Sequence, residues 1–288
     1  MSSTLGQAWA WARDRLRAGG LDEPAIDARL LVEAATGAGR TEIIGDPRRP
    51  LSETQQTALA TLVERRLRRE PVSQILGRKG FWSIMLTVTP HVLTPRPETE
   101  TLVDLVLRDV PEGRPFTLLD LGVGSGAILL SILVERPAGR GLGVDASEDA
   151  LAVARENAAN LGVKDRVALM RGDWTTGLDN ASFDVVVSNP PYVRSADITA
   201  LASEVRDHDP HLALDGGADG LAAYRRLAPE IMRVAKPGGR FAVEVGAGQA
   251  RSVTGLFRRA GATQIVTAKD LSGRVRVVAG RRPSRGSS

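Results

Sequence analysis

The spacing of apolar positions along the chain changes twice, and each change marks an expected domain boundary. Up to about residue 70, apolar residues recur every three or four positions, as in amphipathic helices. From Pro71 to Pro97 they alternate with polar residues, as in a β-hairpin. After Pro115, short apolar runs alternate with helical stretches, which predicts a parallel sheet with crossover helices. We therefore expect a helical domain at 1–72, a β-hairpin connector at 73–95, an α/β domain at 96–280 and a disordered polar tail at 281–288.

Capping signals define the predicted helices of the first domain. Two helices begin with a capping box, in which a Ser or Thr and a Gln three residues later cap each other's backbone N–H groups: Thr4 with Gln7, and Ser52 with Gln55. Between them, Asp22 ahead of Pro24 is expected to open another helix. The pattern therefore predicts three helices.

The third predicted helix carries four arginines on and around one face. Such a face is typical of a surface that meets RNA or an acidic protein partner. A face that is only solvated is the simpler interpretation, and the sequence leaves both open. The four residues are Arg65, Arg66, Arg68 and Arg69.

The α/β domain is predicted to contain seven strands. The last two are joined by too few residues for a parallel crossover, so this pair must be antiparallel. The expected fold class is α/β, with a Rossmann-like sheet that ends in an antiparallel strand pair. The predicted strands span residues 116–121, 142–145, 167–170, 183–187, 241–245, 264–268 and 274–279.

A glycine-rich turn follows the first predicted strand of this domain, in the run Asp120-Leu121-Gly122-Val123-Gly124-Ser125-Gly126-Ala127. Glycines let the backbone approach a ligand closely. The run fits both the dinucleotide template and the G-x-G-x-G turn of S-adenosylmethionine enzymes, so by itself it does not choose a cofactor. Three features favour S-adenosylmethionine: the acid Asp120 ahead of the first glycine, the terminal antiparallel pair, and an Asn-Pro-Pro-Tyr turn after the fourth strand.

Two further strand ends carry candidate cofactor ligands. Asp145 ends the second strand, where its carboxylate can accept both hydroxyls of a ribose, because Ser147 is placed to cap the next helix instead. Asp173 and Trp174 follow the third strand, where an aromatic face can stack on adenine. The carboxyl ends of parallel strands share one sheet edge, so we expect these side chains to line one pocket.

The fourth strand stops abruptly at Ser188-Asn189-Pro190-Pro191-Tyr192. Proline cannot donate to a sheet ladder, and two prolines hold the backbone stiff. The side-chain oxygen of Asn189 and the carbonyl oxygen of Pro190 then form two fixed acceptors, which suit a planar NH2 group. A turn that only closes the strand is the alternative. We predict Asn189, Pro190 and Tyr192 as catalytic residues, and the run from Asn189 through Pro191 to Tyr192 as the substrate site.

A proline-stiffened run, Leu93-Thr94-Pro95-Arg96-Pro97-Glu98-Thr99-Glu100, precedes the first helix of the α/β domain. Arg96 and Glu98 are held there on a restricted backbone, which is how a binding residue is pre-organised. They are candidate substrate-binding residues. A plain domain linker is the alternative.

Composition narrows the class of protein. The chain has 288 residues and no cysteine, which excludes disulfides, thiolate zinc sites and cysteine nucleophiles. No metal site is expected. No apolar run approaches the roughly 18 residues of a membrane span, and the first residues lack a signal-peptide pattern, so a cytoplasmic protein is expected. The net charge of +4 comes almost wholly from arginine and only weakly favours an anionic partner such as RNA.

Taken together, these runs resemble the release-factor glutamine N(5)-methyltransferases, also called PrmC or HemK, which are class I S-adenosylmethionine-dependent methyltransferases. The resemblance covers nearly all of residues 1–280. It implies methylation of the glutamine in the Gly-Gly-Gln tip of class-one peptide chain release factors, with S-adenosyl-L-methionine as cofactor. The motifs that carry it are Pro71-Val72 with Phe81-Trp82, Pro95 to Glu100, Asp120 to Ile128, Asp173-Trp174, Ser188 to Tyr192 and Arg274 to Gly280.

By this resemblance, Gly122 to Gly126, Asp145, Trp174 and Asn189 would contact the cofactor, and Asn189 to Tyr192 would hold the glutamine. The chain departs from the family pattern at three places, and we expect activity to survive them. Val123 replaces a usual threonine, Thr94 replaces a usual isoleucine, and His208-Asp209-Pro210 replaces an aromatic residue followed by Glu-Pro. His208 and Asp209 are expected near the substrate side.

Other functions stay open on the sequence alone. The same turn occurs in enzymes that methylate the exocyclic amine of adenine, and a sister enzyme methylates a glutamine of a ribosomal protein. A non-enzymatic S-adenosylmethionine-binding module is a further alternative. The run from Pro95 to Glu100 favours the release-factor enzyme, and the first 70 or so residues contain no evident base-reading motif. We expect a monomer whose helical domain docks the protein substrate, without membrane association or sequence-specific nucleic-acid binding.

Overall fold

The computed structural model describes residues 3–284, which separate into a helical unit and an α/β unit. The helical unit comprises the chain up to Arg78 together with Ser203–His208. The α/β unit comprises Lys79–Ala202 and the chain from Asp209 onward. The helical unit therefore extends past the predicted boundary at residue 72 and includes a segment from far along the chain.

Helices make up the first part of the chain and alternate with strands after Phe116. The helices are α1 (Leu5–Ala18), α2 (Pro24–Thr36), α3 (Arg40–Gly45), α4 (Glu53–Leu67), α5 (Val72–Leu76), α6 (Glu100–Asp109), α7 (Ala127–Glu135), α8 (Glu148–Asn160), α9 (Ser203–Arg206), α10 (His211–Leu214), α11 (Ala222–Val234) and α12 (Ala250–Arg259). The strands are β1 (Arg78–Phe81), β2 (Ile84–Thr87), β3 (Phe116–Leu121), β4 (Gly139–Asp145), β5 (Val167–Arg171), β6 (Phe183–Ser188), β7 (Ala235–Glu244), β8 (Thr263–Lys269) and β9 (Val275–Arg281).

Helices α1 to α5 surround one apolar core in the helical unit. Both predicted capping boxes are confirmed, at the starts of α1 and α4. Helix α2 begins with Pro24 after Glu23, so the prediction that Asp22 opens it is wrong. Helices α3 and α5 are too short to show a periodic pattern, and the sequence does not predict them. The core includes Leu5, Leu16, Leu31, Leu59 and Val63.

Arg66 of α4 is buried inside the helical unit. It ion-pairs with Asp27 of α2 at 2.8 Å and with Glu204 of α9 at 3.1 Å. Arg65 pairs with Glu70 close by. A solvated or RNA-facing surface is therefore the wrong interpretation of Arg66, which holds α4 to α2 and α9 from within. Arg65 stays partly exposed.

The α/β unit is built on a seven-stranded sheet with the order β5-β4-β3-β6-β7-β9-β8. Strands β3 to β7 run parallel, whereas β9 runs antiparallel to β7 and to β8. The predicted Rossmann-like sheet with a terminal antiparallel pair is confirmed. The strand order reverses at β3, which lies between β4 and β6, and such a reversal opens a crevice at the carboxyl edge of the sheet.

Most strand bounds agree closely with the sequence pattern, and β3 has the predicted bounds. Strand β7 is the exception, because it begins at Ala235, well before the predicted start at residue 241. Its register against β6 shifts there, since Phe183 pairs with Ala235 and Val185 pairs with Arg240. Residues 236–239 of β7 therefore lie where the regular pairing with β6 is interrupted.

Apolar layers cover both faces of the sheet. Successive residues of a strand point to opposite faces. Leu118 of β3 accordingly packs in the cluster that contains Leu129 of α7, and Leu119 in the cluster that contains Leu227 of α11. Burial on both faces explains why the central strands are nearly continuous apolar runs in the sequence.

Strands β1 and β2 form the two-stranded sheet that the alternating pattern predicts. The predicted connector at 73–95 is a hairpin only over its middle part, because α5 occupies its first residues. After β2, Val88 and Val92 pack against Ala150 and Val153 of α8.

The end of the described chain is tied to the sheet. Arg281 is the last residue of β9, and Arg282 donates hydrogen bonds to the carbonyl oxygens of Arg233 and Ala235. The predicted disordered tail from residue 281 therefore does not hold for these two residues. Its last part, 285–288, lies outside the described residues. Within residues 3–284, no helix is both long and apolar enough to cross a membrane.

Candidate active site

A cavity of about 360 Å³ opens where β3, β4 and β6 end. Its volume is in the range of pockets that hold small molecules. It lies at the reversal of strand order, where open α/β sheets bind their ligands. The predicted site residues on its wall are Arg96, Gly122, Val123, Gly124, Ser125, Asp145, Asp173, Trp174, Asn189 and Pro191.

The glycine turn between β3 and α7 forms one side of the cavity. The backbone N–H groups of Gly122 and Val123 donate to the Val144 carbonyl oxygen at 2.8 and 3.0 Å, which ties the turn to β4. Gly124 has a φ of 52°, in the left-handed region that glycine adopts without strain. A Cβ added there would meet nothing within 4 Å, so the space beside Gly124 is open to a ligand.

Two backbone groups hold the Asp145 carboxylate in place. Its Oδ2 accepts from the Gly124 N–H at 2.9 Å, and its Oδ1 accepts from the Ser147 N–H at 3.0 Å. Ser147 caps α8 through the Ala150 N–H, as predicted. Each carboxylate oxygen can accept more than one hydrogen bond. The fixed carboxylate can therefore also receive the two hydroxyls of a ribose.

Trp174 forms a flat wall beside the glycine turn. Its backbone has a φ of 54°, which a non-glycine residue adopts only where its surroundings hold it. A Cβ added to Gly122 would lie 3.7 Å from Trp174 Cζ3, so the indole lies against the turn. Asp173 accepts from both Nη atoms of Arg226 at 2.8 and 2.7 Å, which anchors this loop to α11. The arrangement suits an adenine stacked on the indole.

The turn after β6 carries two free acceptors, of which Asn189 lies on the cavity wall. Ser188 Oγ donates to the Leu121 carbonyl oxygen at 2.7 Å and fixes the end of β6 against β3. Asn189 Nδ2 donates to Thr99 Oγ1 at 3.4 Å, which leaves Asn189 Oδ1 for a ligand. Among residues 3–284, no group donates to Asn189 Oδ1 or to the Pro190 carbonyl oxygen.

Tyr192 and Pro190 are not part of the cavity wall. The Tyr192 hydroxyl donates to Glu244 Oε1 at 3.4 Å, and burial raises the pKa of this hydroxyl above its ordinary value. Gln249 Nε2 donates to the Tyr192 carbonyl oxygen at 2.9 Å. These contacts suit a residue that fixes the turn, whereas the sequence predicts contact between Tyr192 and the substrate.

Asp120 and Gly126, both predicted to contact the cofactor, are turned away from the cavity. Asp120 is buried and accepts from the Leu129 N–H at 3.2 Å. Burial raises its pKa to about 8, with a further contribution from the charge of Asp145. A Cβ added to Gly126 would lie 2.7 Å from Leu130 Cδ1, so glycine is needed there for α7 to pack. Both residues therefore stabilise the packing of α7 against the turn and do not line the cavity.

Arg96 is a half-buried cation on the cavity wall. It ion-pairs with the buried carboxylate of Asp209, which also accepts from the Thr94 N–H at 3.4 Å. Burial raises the pKa of Asp209, and the charge of Arg96 opposes this. Thr94 and Asp209, which both depart from the family pattern, are thus hydrogen-bonded to each other. Glu98 is off the wall, with its carboxylate 3.8 Å from Arg276.

The other two departures differ in where they lie, since Val123 is on the cavity wall and His208 is in the helical unit. Val123 packs in the apolar cluster that contains Leu129, an environment that suits a side chain without a hydroxyl. His208 belongs to the helical unit, where its carbonyl oxygen accepts from Gln74 Nε2 at 3.0 Å. The expected position of His208 near the substrate stays a prediction.

Thr99 and Glu244, which the sequence patterns do not single out, stand directly behind the acceptor turn. Thr99 lies on the cavity wall. Glu244 ends β7 and is 1% exposed, and burial raises its pKa to about 7. Its Oε2 has no hydrogen-bond partner among residues 3–284. The sequence signal for Glu244 is a single carboxylate at the end of an apolar strand. Burying an ionisable group is costly, so such a residue is a candidate for a functional role.

Known proteins match this chain over both units. A family model described as PrmC N-terminal domain matches residues 7–77, and a model described as methyltransferase domain matches residues 114–266. A release factor glutamine methyltransferase from Caulobacter vibrioides is 62% identical over 280 residues, which are 97% of each chain. One from Rhodospirillum rubrum is 45% identical over 277 residues, which cover 96% of this chain and 84% of that protein.

A solved methyltransferase structure from Pyrococcus furiosus has the same fold, with a TM-score of 0.50 at 16% identity over 69% of this chain and 88% of that chain. The sheet order, the glycine turn and the matching domain model define a class I methyltransferase that uses S-adenosylmethionine. The similarity to the curated relatives runs over nearly the whole length. This chain belongs to the release factor glutamine methyltransferases, and the predicted family is confirmed.

The cavity offers a partner for each part of S-adenosylmethionine. The Trp174 indole could stack on the adenine, the Asp145 carboxylate could receive the ribose hydroxyls, and the Arg96 guanidinium could meet the α-carboxylate. The open space beside Gly124 lets the ligand approach the backbone. The residues present therefore fit this cofactor. Within residues 3–284, no group of three or more His, Cys, Asp or Glu side chains forms a metal site.

Proposed function

We propose that this enzyme methylates the side-chain amide nitrogen of the glutamine in the Gly-Gly-Gln motif of class-one peptide chain release factors. The observation that carries the proposal is the pair of free acceptors, Asn189 Oδ1 and the Pro190 carbonyl oxygen, at the edge of the cofactor cavity. A primary amide has two N–H groups in one plane, and this pair can receive both. The names of the closely similar relatives support this substrate.

The acceptor pair addresses the chemical difficulty of the reaction. An amide nitrogen is a poor nucleophile, because its lone pair is delocalised into the carbonyl group. Hydrogen bonds from both N–H groups to Asn189 and Pro190 aim the nitrogen and partly localise that lone pair. Positioning of this kind can supply roughly 7–11 kcal/mol of the barrier reduction. No general base is required, because the methylated amide can release its proton to water afterwards.

The other residues of the wall place the two substrates. Bound S-adenosylmethionine supplies an electrophilic methyl group on a sulfonium. Asp145 and Trp174 orient the nucleoside, and Arg96 holds the amino-acid end. The sequence predicts Arg96 as a substrate-binding residue, and its place on the cavity wall also lets it contact the cofactor. Glu98 stays a candidate for the protein substrate.

The helical unit serves as the docking surface for the protein substrate. Its exposed apolar side chains include Trp11, at 42%, and Ile44, at 70%. Exposed aromatic and aliphatic side chains are typical anchors of protein interfaces. Replacing both with alanine should raise KM for the release factor and leave the Kd for S-adenosylhomocysteine unchanged. An unchanged KM would place the docking surface elsewhere.

The remaining parts of the proposal concern the setting of the enzyme. It acts in the cytoplasm, as a monomer, on a protein substrate and without sequence-specific nucleic-acid binding. The family of its relatives supports the protein substrate. Sedimentation analysis with and without a release factor measures the oligomeric state.

The decisive experiment is methyl transfer from labelled S-adenosylmethionine to four acceptors in parallel. These are a purified release factor, its Gly-Gly-Gln→Gly-Gly-Ala variant, a ribosomal protein mixture and duplex DNA. Label on the intact release factor alone is the expected result. It would identify the reaction, the substrate and the target residue together.

Other outcomes would reassign the acceptor. Label on the ribosomal proteins would mean the same chemistry with a different partner. Label on DNA would mean that the acceptor pair receives the exocyclic amine of adenine. Cofactor binding without transfer to any of the four acceptors would point to a binding module without this activity.

A further inference from the structure

One side chain, that of Gln249, joins the end of the acceptor turn to two other segments of the α/β unit. Its Nε2 donates to the Tyr192 carbonyl oxygen at 2.9 Å and to the Gly220 carbonyl oxygen at 3.2 Å. Its Oε1 accepts from the Gly246 N–H at 3.0 Å. Gly220 lies in the loop before α11, and Gly246 follows β7. The chain at Tyr192 is therefore tied to both of these segments.

Three glycines leave the room that this junction needs. A Cβ added to Gly220 would lie 2.5 Å from the Tyr192 carbonyl oxygen and 2.6 Å from Gln249 Nε2. A Cβ added to Gly246 would lie 2.8 Å from Gln249 Oε1, and one added to Gly216 would lie 2.8 Å from Tyr192 Cα. A real Cβ does not come so close to another atom. The segments can therefore close around Tyr192 and Gln249 only because these positions lack a side chain.

The two prolines of the turn pass a fixed position at Tyr192 back to Pro190. Proline has no N–H group, so neither Pro190 nor Pro191 can donate a hydrogen bond that would hold it in place. Each ring fixes its own φ, and Pro191 also restricts the backbone of Pro190. The direction of the Pro190 carbonyl group therefore depends on where the chain is held at Tyr192.

The turn is held on both sides of its acceptor pair. Before the pair, Ser188 Oγ donates to the Leu121 carbonyl oxygen at 2.7 Å. After the pair, Gln249 holds the chain at Tyr192. A substrate amide can donate to Asn189 Oδ1 and to the Pro190 carbonyl oxygen together only if the distance between these atoms and their directions are kept.

We propose that Gln249 is a positioning residue for methyl transfer, which keeps the Pro190 carbonyl oxygen where the substrate amide needs it. The inference rests on the proposed function of Asn189 and Pro190 as acceptors. Gln249 is not part of the cavity wall, so it acts through the acceptor turn. An amide suits this place because the junction needs a donor for two carbonyl oxygens and an acceptor for one N–H group.

Two substitutions of Gln249 separate the contacts of its side chain. Gln249→Met keeps nearly the same length and removes all three hydrogen bonds. Gln249→Glu keeps an acceptor for the Gly246 N–H, but a carboxylate cannot donate to the Tyr192 carbonyl oxygen. Both variants should lower kcat for methyl transfer to a release factor by roughly 10-fold, because a misplacement of about 1 Å can cost about 100-fold.

The kcat is expressed per cofactor site, and the sites are counted by calorimetric titration with S-adenosylhomocysteine. The Kd for this ligand should stay at the wild-type value in both variants, because Gln249 is off the cavity wall. A purely structural role would lower the number of sites and leave kcat per site unchanged. Gln264→Met and Gln264→Glu make the same changes at an exposed position of β8 and should behave as wild type.

A double-mutant cycle with Asn189→Ala tests whether Gln249 acts through the acceptor pair. The exact place of the Pro190 carbonyl oxygen matters most while Asn189 receives the other N–H group of the substrate. Gln249→Met should therefore lower kcat by a smaller factor in Asn189→Ala than in the wild-type enzyme. Equal factors in the two backgrounds would mean that Gln249 acts independently of the acceptor pair, which would overturn the proposal.

Two other results would also overturn it. One is a wild-type kcat per site in Gln249→Met. The other is a wild-type kcat per site in Gln249→Glu, which would leave no role for the contact with Tyr192. Either result leaves the proposed function intact if Asn189→Ala still impairs transfer. Absence of transfer from the wild-type enzyme to the release factor would instead refute the proposed function itself.

Discussion

Asn189 and Thr99 meet through a 3.4 Å hydrogen bond, although 90 positions separate them in the chain. Thr99 ends the short 3-10 helix before α6, and Asn189 follows β6. Their contact turns the Asn189 oxygen toward the cavity. The geometry of the acceptor therefore depends on a residue outside the Asn-Pro-Pro-Tyr turn.

Replacement of Asn189 should impair transfer more than cofactor binding. Asn189→Ala removes one of two acceptors for the substrate amide, so kcat should fall on the order of 100-fold, which corresponds to about 2.7 kcal/mol. Methyl-transfer kinetics and calorimetric titration with S-adenosylhomocysteine measure the two effects. Asn160→Ala, at an exposed site on α8, should behave as wild type. Unchanged turnover in Asn189→Ala would remove this residue from the mechanism.

Arg96 should recognise the carboxylate of the cofactor. Arg96→Gln should weaken binding of S-adenosylhomocysteine by roughly 10- to 100-fold, the range expected for a hydrogen bond between charged groups. It should leave binding of 5′-methylthioadenosine, which lacks the amino-acid end, nearly unchanged. Titration calorimetry with both ligands measures the difference, and Arg108→Gln at an exposed site is the control. Equal losses for both ligands would assign Arg96 a structural role only.

Asp120 should make the fold less stable as pH rises. The unfolded chain loses the Asp120 proton above the ordinary pKa of 3.8, whereas the folded chain keeps it up to about 8. The free energy of unfolding therefore falls by about 1.4 kcal/mol per pH unit across that window. Asp120→Asn should lose this dependence and gain stability relative to wild type from acid to neutral pH.

Urea unfolding at several pH values measures the effect of Asp120. Asp179→Asn, at an exposed site, should follow the wild-type curve. Parallel curves for the wild type and Asp120→Asn would mean that Asp120 is ionised in the folded state.

The buried arginine of the helical unit should matter for stability and not for chemistry. Arg66→Met leaves the buried carboxylate of Asp27 without its cation and leaves Glu204 with Arg69 alone, which should cost about 3–5 kcal/mol. Arg68→Met, at the exposed residue that follows the same helix, should cost little. Thermal unfolding followed by circular dichroism distinguishes the two variants. A small effect of Arg66→Met would mean that water replaces the lost contacts.

Local patterns predict much of this structure because their causes are local. The capping boxes of α1 and α4 depend on residues three positions apart, and both are confirmed. The bounds of β3 follow from a buried apolar run that ends at the glycine turn. The antiparallel end of the sheet follows from the length of one connection. Each inference needs only neighbouring residues and general stereochemistry.

Local patterns do not reveal a contact whose partner is distant in the sequence. Arg66 pairs with Glu204, 138 positions away, so one arginine of a face that looks solvated is in fact buried. Asp120 precedes the glycine turn as a cofactor ligand would, but the packing of α7 covers it. Tyr192 reaches Glu244 on a neighbouring strand and not the cavity. Only the tertiary fold determines these pairings.

The hydrogen bond from Ser188 Oγ to the Leu121 carbonyl oxygen has a consequence for the kinetics of substrate binding. This hydrogen bond holds β6, which leads into the acceptor turn, against β3, which leads into the glycine turn. The substrate site and the cofactor site are therefore both built on the same rigid pair of strands. The substrate site can form without bound cofactor, and the cofactor site can form without bound substrate. The release factor and the cofactor should therefore bind in random order, and initial-rate plots should give affinities for each that are independent of the concentration of the other.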